Sequence, residues 1–231
     1  VRINPNPVDM SEYSGSASAG LTLGLHTLPG FDGAAVINVP IVDNTLGVRG
    51  VAYRTRDGGV LDLRDRGLRP NQVDTAGGRA ALRFDAGGWD IEVSGLMQDT
   101  NAENSQYAEA GPVQMRVAGL AQPFSNSLQV GRIVAEHEWD AGLTLSSSTS
   151  LVGRQSFDAF DATSPTGAPT VYSITRSALF FTQEVRLLKQ WRNGGSWVIG
   201  ASYLRARDAQ VRSLGIPDEP VELDEVTNIT Y

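Results

Sequence analysis

The amino-acid sequence predicts an all-β fold, namely nine or ten antiparallel strands of an up-and-down transmembrane β-barrel. Three observations predict it. Apolar and polar residues alternate with a period of two in nine segments of the 231-residue chain. Most of these segments have roughly 9–12 residues, whereas strands of ordinary globular proteins have about 5–6 residues. Short turns also alternate with long polar loops, as they do in outer-membrane barrels.

The strands follow from the alternation. It is clearest where Trp89, Ile91 and Val93 share one face while Asp90 and Glu92 share the other. The nine predicted strands cover roughly residues 14–24, 33–41, 46–54, 77–86, 89–98, 128–139, 143–153, 178–189 and 196–206, and Val226–Tyr231 could open a tenth.

The connections indicate which end of the barrel is which. The short ones contain the Gly, Asn and Asp residues that tight turns favour, and they lie at 43–45, 87–88, 140–142 and 190–195. The links between them are mostly long and polar, at about 25–32, 55–76, 99–127 and 154–177. If the first strand rises from the periplasm, the turns are periplasmic and the loops are outside.

The tryptophans and the strand charges support a membrane barrel. All four tryptophans lie beside the short-turn end, where the ring of Trp suits a membrane interface: Trp89, Trp139, Trp191 and Trp197. Six charged residues lie opposite the apolar stripe, where a barrel has a polar lumen: Arg79, Arg83, Asp90, Glu92, Glu184 and Arg186. A soluble sheet with one hydrated face would explain the alternation equally well, but not the strand lengths.

The composition excludes several functions. The formal net charge is −7, so we expect no nucleic-acid partner. The absence of cysteine removes disulfides, thiolate zinc sites and cysteine nucleophiles. Neither His26 nor His137 has converging ligands nearby, so no metal or cofactor is expected. No hydrolase, zincin or P-loop motif occurs, and the sequence does not predict an enzyme.

Some loop residues are candidates for ligand contacts. Arg64, Arg66 and Arg69 could bind an anionic solute through their guanidinium groups, although the intervening acid Asp65 favours pairing within the loop. Two acidic groups are expected to be solvated loop residues rather than an acid–base pair or a cation site: Asp158 with Asp161, and Asp218, Glu219, Glu222, Asp224 and Glu225.

Several segments, in their order, resemble TonB-dependent outer-membrane receptors. Residues 38–59 resemble the second and third barrel strands of that family, and the similarity continues through 77–84 and 145–150. Residues 181–187 followed by 197–200 are the most specific part. The opening Val1–Pro7 resembles the link from the plug domain to the first barrel strand.

The resemblance implies a domain division and a function. Residues 1–13 would be the link from a missing plug domain, and residues 14–231 would be the front part of a 22-stranded barrel. The expected protein is an energy-coupled receptor in the outer membrane of a Gram-negative bacterium. It would capture a scarce solute, most often a ferric siderophore, with outer-membrane lipid around it and TonB acting through the plug region.

Two other functions remain open at this point. The chain could be a complete small barrel of ten strands that acts as a passive pore or adhesin, with Tyr231 as its terminal aromatic residue. It could instead be a soluble extracellular β-domain that binds carbohydrate.

Overall fold

The computed structural model describes residues 6–25, 27–59, 62–63, 71–104, 115–116, 119–140, 142–192, 194–217 and 219–230. These residues form twelve β-strands, with no helix among them. The strands are β1 Ser14–Thr22, β2 Gly30–Val42, β3 Leu46–Asp57, β4 Asp62–Leu63, β5 Val73–Ala86, β6 Trp89–Ala102, β7 Met115–Arg116, β8 Phe124–Trp139, β9 Leu143–Asp161, β10 Val171–Gln190, β11 Ser196–Ile216 and β12 Glu219–Thr230.

Ten of these strands form one antiparallel sheet in which neighbours in the chain are neighbours in space. The order is β1-β2-β3-β5-β6-β8-β9-β10-β11-β12, which confirms the predicted all-β up-and-down arrangement. The two-residue strands β4 and β7 belong to two of the connections and pair with each other in parallel. Within the described residues β1 and β12 each have one neighbouring strand, so the sheet is open.

Glycines with positive φ form the predicted short turns. Gly87 has φ 62° and Gly88 has φ 82°, the left-handed backbone that a two-residue hairpin turn requires at both positions. Gly142, with φ 72°, closes the β8–β9 turn, where its N–H donates to the Trp139 carbonyl at 2.9 Å. These turns fix the register of the hairpins that they close.

The strands extend further on the loop side than the sequence predicts. All nine predicted strands are present, but β9 continues to Asp161, β10 begins at Val171 and β11 continues to Ile216. Much of the expected loop at 154–177 is therefore part of the sheet. In the added residues polar side chains occur on both faces, as at Arg154-Gln155-Ser156, so the regular alternation that predicts a strand is lost.

The acidic segment near the C-terminus also differs from its prediction. It was expected to be a solvated loop, but residues from Glu219 onward form β12, whose bounds replace the predicted tenth strand. Within it Asp224 accepts a hydrogen bond from Arg212 Nε of β11 at 2.7 Å. This ion pair raises the pKa of the Arg212 guanidinium and lowers the pKa of Asp224. Pairing with the neighbouring strand is what makes the segment extended.

The two faces of the sheet differ in polarity and in exposure. Residues paired across strands share a face, so the register extends each face from strand to strand. The apolar face includes Val93 and Met97, whose exposures are 43% and 59%, whereas Asp90 and Glu92 on the polar face are half-buried. A sheet with one face in water normally exposes its polar side. On β6 this relation is reversed.

Few apolar side chains are buried among the described residues. Their buried apolar side chains are Val8, Ala81, Ala102 and Ala159. Large apolar residues are instead exposed along one face of several strands, among them Ile37, Ile133, Leu151, Leu179 and Ile199. No helix in the described part of the chain is long and apolar enough to cross a membrane.

Candidate functional site

The polar face carries a cluster of paired charges on β5 and β6. Arg83 donates to both carboxylate oxygens of Asp90, from Nε at 2.9 Å and from a terminal nitrogen at 2.7 Å. One step along the strands, a terminal nitrogen of Arg79 lies 3.6 Å from Glu92, and the two side chains are 15% and 23% exposed. Such partly enclosed pairs suit a surface that faces a narrow, hydrated space.

The same face continues to β9 and β10. Arg186 forms an ion pair with Glu184, the hydroxyl of Ser146 donates to Glu136 at 3.2 Å, and the register aligns these residues with the β5–β6 cluster. This confirms the prediction that six charged strand residues share one face: Arg79, Arg83, Asp90, Glu92, Glu184 and Arg186.

Residues 6–13, here called the strap, are held against the polar face by Asn38. The Asn38 side chain accepts a hydrogen bond from the Asp9 N–H at 3.0 Å and donates to the carbonyls of Asp9 and Glu12 at 2.8 and 2.9 Å. Asn38 is 1% exposed. A single buried amide therefore satisfies three backbone groups of the strap.

Three further contacts fix where the strap runs. Val8 is 2% exposed, and a Cβ added at Gly47 would lie 2.9 Å from its Cγ1. Arg79 donates to the Asn6 carbonyl at 3.3 Å, and the Asn44 N–H donates to the Met10 carbonyl at 2.9 Å. The strap thus crosses β2, β3 and β5 near the short-turn end of the sheet.

The loop-side parts of three strands, residues 154–161, 171–178 and 207–216, form what we call the outer wall. At about 3.4 Å per residue, the 20 residues of β10 span about 65 Å. A strand of that length, tilted by about 45°, rises about 45 Å, whereas the apolar band of a barrel is about 25 Å tall. The outer wall would therefore stand beyond the apolar band of the membrane.

The polar face of the outer wall presents guanidinium groups and aromatic rings. Arg154 donates to Asn126 at 2.7 Å, and Arg176 donates to Gln210 at 2.9 Å. The rings of Phe160 and Tyr172 lie 6.3 Å apart. Guanidinium and aromatic groups recognise anionic and aromatic parts of a solute, so this wall is a candidate ligand-contacting surface.

Asp161 anchors the end of the β6–β8 connection to β9. Its carboxylate accepts hydrogen bonds from the N–H groups of Leu120 and Thr163, both at 3.0 Å. Burial alone would raise the pKa of Asp161, but the hydrogen bonds from Thr163, Leu120 and Gly119 together hold this pKa below its ordinary value of 3.8. The ionised carboxylate is thus the form that holds the connection in place.

The ionised carboxylate of Asp161 contributes to stability in a way that depends on pH. Because the folded pKa is lowered, the stabilisation is fully present above pH 3.8 and is lost as the pH falls through the lower folded pKa. We expect the Leu120 amide resonance to be constant from pH 7 to pH 5 and to move only below pH 3.8. Asp161→Asn should remove this transition, Asp158→Asn should leave it, and a transition centred above pH 3.8 would contradict the assignment.

The tryptophans gather at the short-turn end, as predicted. The Trp89 ring lies 4.6 Å from the His137 ring, which lies 4.4 Å from Trp139. The register places Trp197 on the same apolar face. In the β10–β11 turn the backbone N–H of Trp191 donates a hydrogen bond to the Gly195 carbonyl. Their position at one edge of an exposed apolar band is the one that membrane-interface tryptophans occupy.

The other predicted site residues have different outcomes. His26, Arg64, Arg66 and Arg69 lie outside the described residues, so their predicted roles stay predictions. Asp158 pairs with Arg176 at 3.4 Å while Asp161 serves as an anchor, so the two carboxylates do not act as a pair. Within the described part of the chain no group of acidic or histidine side chains could hold a metal ion.

Sequence reasoning missed Asn38 and the arginines of the outer wall. The only sequence signal for Asn38 is a polar amide between Ile37 and Val39 in an otherwise apolar strand. Arg154 and Arg176 gave no signal, because they lie in segments without alternation.

The fold and the reversed faces define a class of protein. An up-and-down antiparallel sheet with an exposed apolar face, a charged opposite face and tryptophans at one edge has the features of an outer-membrane β-barrel wall.

Comparison with known proteins agrees with this fold. The fold is similar to that of the ferric yersiniabactin uptake receptor from Yersinia pestis, with a TM-score of 0.68 over 90% of this chain. The two sequences are 13% identical, so the likeness shows the fold alone, and the chain spans 32% of the length of that receptor. No family model and no curated protein sequence matches the chain.

Proposed function

We propose that this chain forms part of the barrel of an outer-membrane receptor for energy-coupled uptake of a scarce solute. The observation that carries the proposal is the fold that 90% of the chain shares with a ferric yersiniabactin uptake receptor. A ferric siderophore is therefore the proposed solute. No catalytic role is proposed for any residue.

The reversed faces support the membrane location. An Arg on the lipid side of a barrel costs about 2–4 kcal/mol near the bilayer midplane, whereas charge is tolerated in a polar lumen. The paired charges of Arg79, Arg83, Asp90 and Glu92 occupy the half-buried face, and the opposite face of β6 carries no charged residue from Trp89 to Met97. With the loops outside, the outer wall would be the first part of the barrel that a solute meets.

The strap supports coupling through a plug domain. Its path over the polar face brings residue 6 next to Arg79, so a plug joined upstream through residues 1–13 would begin inside the lumen. We propose that TonB acts on that plug, as the resemblance to TonB-dependent receptors implies, and that the solute passes along the polar face.

Uptake measurements test the proposal. In cells that express the complete reading frame, we expect saturable uptake of radiolabelled iron from a panel of ferric siderophores. Uptake should fall at least tenfold when TonB is deleted or the proton gradient is collapsed, because a plugged receptor needs energy to release its solute.

Other outcomes would point to other functions. Uptake that rises linearly with concentration and does not respond to loss of TonB would identify a diffusion pore. Recovery of the protein in the soluble fraction after cell lysis would contradict the membrane location itself.

A further inference from the structure

The apolar face contains a groove that runs from apolar to polar surroundings. Its lower part, of about 830 Å³, is lined mostly by glycine and apolar residues such as Gly95, Gly131 and Leu151, with Asp99 at its loop-side edge. Its upper part, of about 460 Å³, lies nearer the loops and is lined by Ser127, Gln155, Ser177 and Arg207. The two parts are continuous, since both contact Gln129, Gly153 and Leu179.

At Gly95 and Gly131 the groove is open because these residues have no side chain, not because backbone packing would exclude one. A Cβ at Gly131 would meet nothing within 4 Å, and one at Gly95 would meet only the Val130 carbonyl, at 3.8 Å. Glycine in a strand interior lowers stability by roughly 0.5–1 kcal/mol relative to alanine. Glycine there often marks a place where another molecule approaches the backbone.

The upper end of the groove is cationic. Arg207 is exposed on the apolar face and pairs in register with Leu179, and it forms no hydrogen bond or ion pair with another described residue. The side chains of Ser127, Gln155 and Ser177 add neutral hydrogen-bond donors around the same opening. A guanidinium group with nearby donors matches a phosphate group.

We propose that this groove binds a phosphate-bearing lipid of the outer leaflet, with its phosphate on Arg207 and an acyl chain along Gly131 and Gly153. The relative position of the two parts favours a lipid as the ligand. The cationic end points to the loops, and the apolar end points to the middle of the apolar band. A free phosphate would use only the upper part, and a pure hydrocarbon only the lower part. This inference rests on the membrane location given under the proposed function.

Two variants and one control test the inference on the complete protein extracted from membranes. Arg207→Gln removes the charge, and Gly131→Leu fills the lower groove at a position where the added side chain meets open space. Arg192→Gln makes the same chemical change in the β10–β11 turn. Native mass spectrometry with dioleoyl phosphatidic acid, and with dioleoylglycerol as the probe that lacks phosphate, measures the bound lipid.

The native protein should retain phosphatidic acid at least fivefold more than dioleoylglycerol. Arg207→Gln should abolish that preference, Gly131→Leu should lower retention of both lipids at least fivefold, and Arg192→Gln should change neither. Inorganic phosphate at millimolar concentration should not displace the lipid, whereas displacement would identify a free-phosphate site and overturn the proposal. Heat-modifiable gel mobility confirms that each variant is folded.

The outcomes separate this inference from the proposed function. Equal retention by all variants, in a protein that still takes up ferric siderophore in a TonB-dependent way, would overturn the lipid site alone. A protein recovered without membranes would overturn both.

Discussion

Val93→Arg is expected to destabilise the protein in a bilayer by about 2–4 kcal/mol, whereas Ser94→Arg is expected to have little effect. The two residues are adjacent in β6 and lie on opposite faces. Val93 lies within the exposed apolar face, where an arginine would have to enter hydrocarbon. Ser94 lies on the polar face, where its cross-strand partners are Ala81 and Arg132. Unfolding by urea in lipid vesicles measures the difference.

The same pair of variants distinguishes a bilayer from water. In water the side chain of Val93 would already be 43% exposed, and an arginine there would cost almost nothing. The more enclosed Ser94 would then be the more sensitive position. Equal stability of native protein and Val93→Arg would therefore contradict the membrane location of this face.

Asn38→Leu is expected to release the strap from the sheet. The change leaves the Asp9 N–H and the carbonyls of Asp9 and Glu12 without their partner. Each buried group that loses its hydrogen bond costs about 1–3 kcal/mol. Amide hydrogen exchange at Asp9 should become faster by at least tenfold in the variant.

A matched change provides the control for the strap. Asn101→Leu replaces an exposed asparagine of β6 and should leave exchange at Asp9 unchanged. If protection at Asp9 survives Asn38→Leu, the buried contact of Val8 with Gly47 holds the strap by itself. The hydrogen bonds of Asn38 would then be dispensable.

The sequence predicts the short-turn half of the sheet well, because there the two faces of the strands differ most in polarity. Predicted and observed strands share their short-turn ends at Leu46, Trp89, Trp139, Leu143 and Ser196. On the face that we propose to contact lipid, every side chain has to be tolerated by hydrocarbon, and this favours alternation. The left-handed glycines at 87 and 88 then fix the turn.

Outside that region the sequence loses its predictive power for physical reasons. Both faces of the outer wall meet water, so residues such as Arg154 and Gln155 can be polar on either side. The strap is held by bonds between residues 29 positions apart, and no local pattern encodes a contact between an amide and a distant backbone. The charged face of the strands could therefore be predicted from the sequence, but neither the outer wall nor the contacts of the strap could.

The outer wall has an energetic consequence for the proposed capture of a solute. Its residues belong to hydrogen-bonded strands. β10 pairs along its full length with β11, and from Val171 to Lys189 it also pairs with β9. Neighbouring strands lie about 4.8 Å apart, and residues on one face of a strand recur about every 6.8 Å. Arg154, Arg176 and Tyr172 are thus held at set spacings before any solute arrives. A solute that meets a pre-organised surface does not have to order a loop, so less of its interaction energy is lost as conformational entropy.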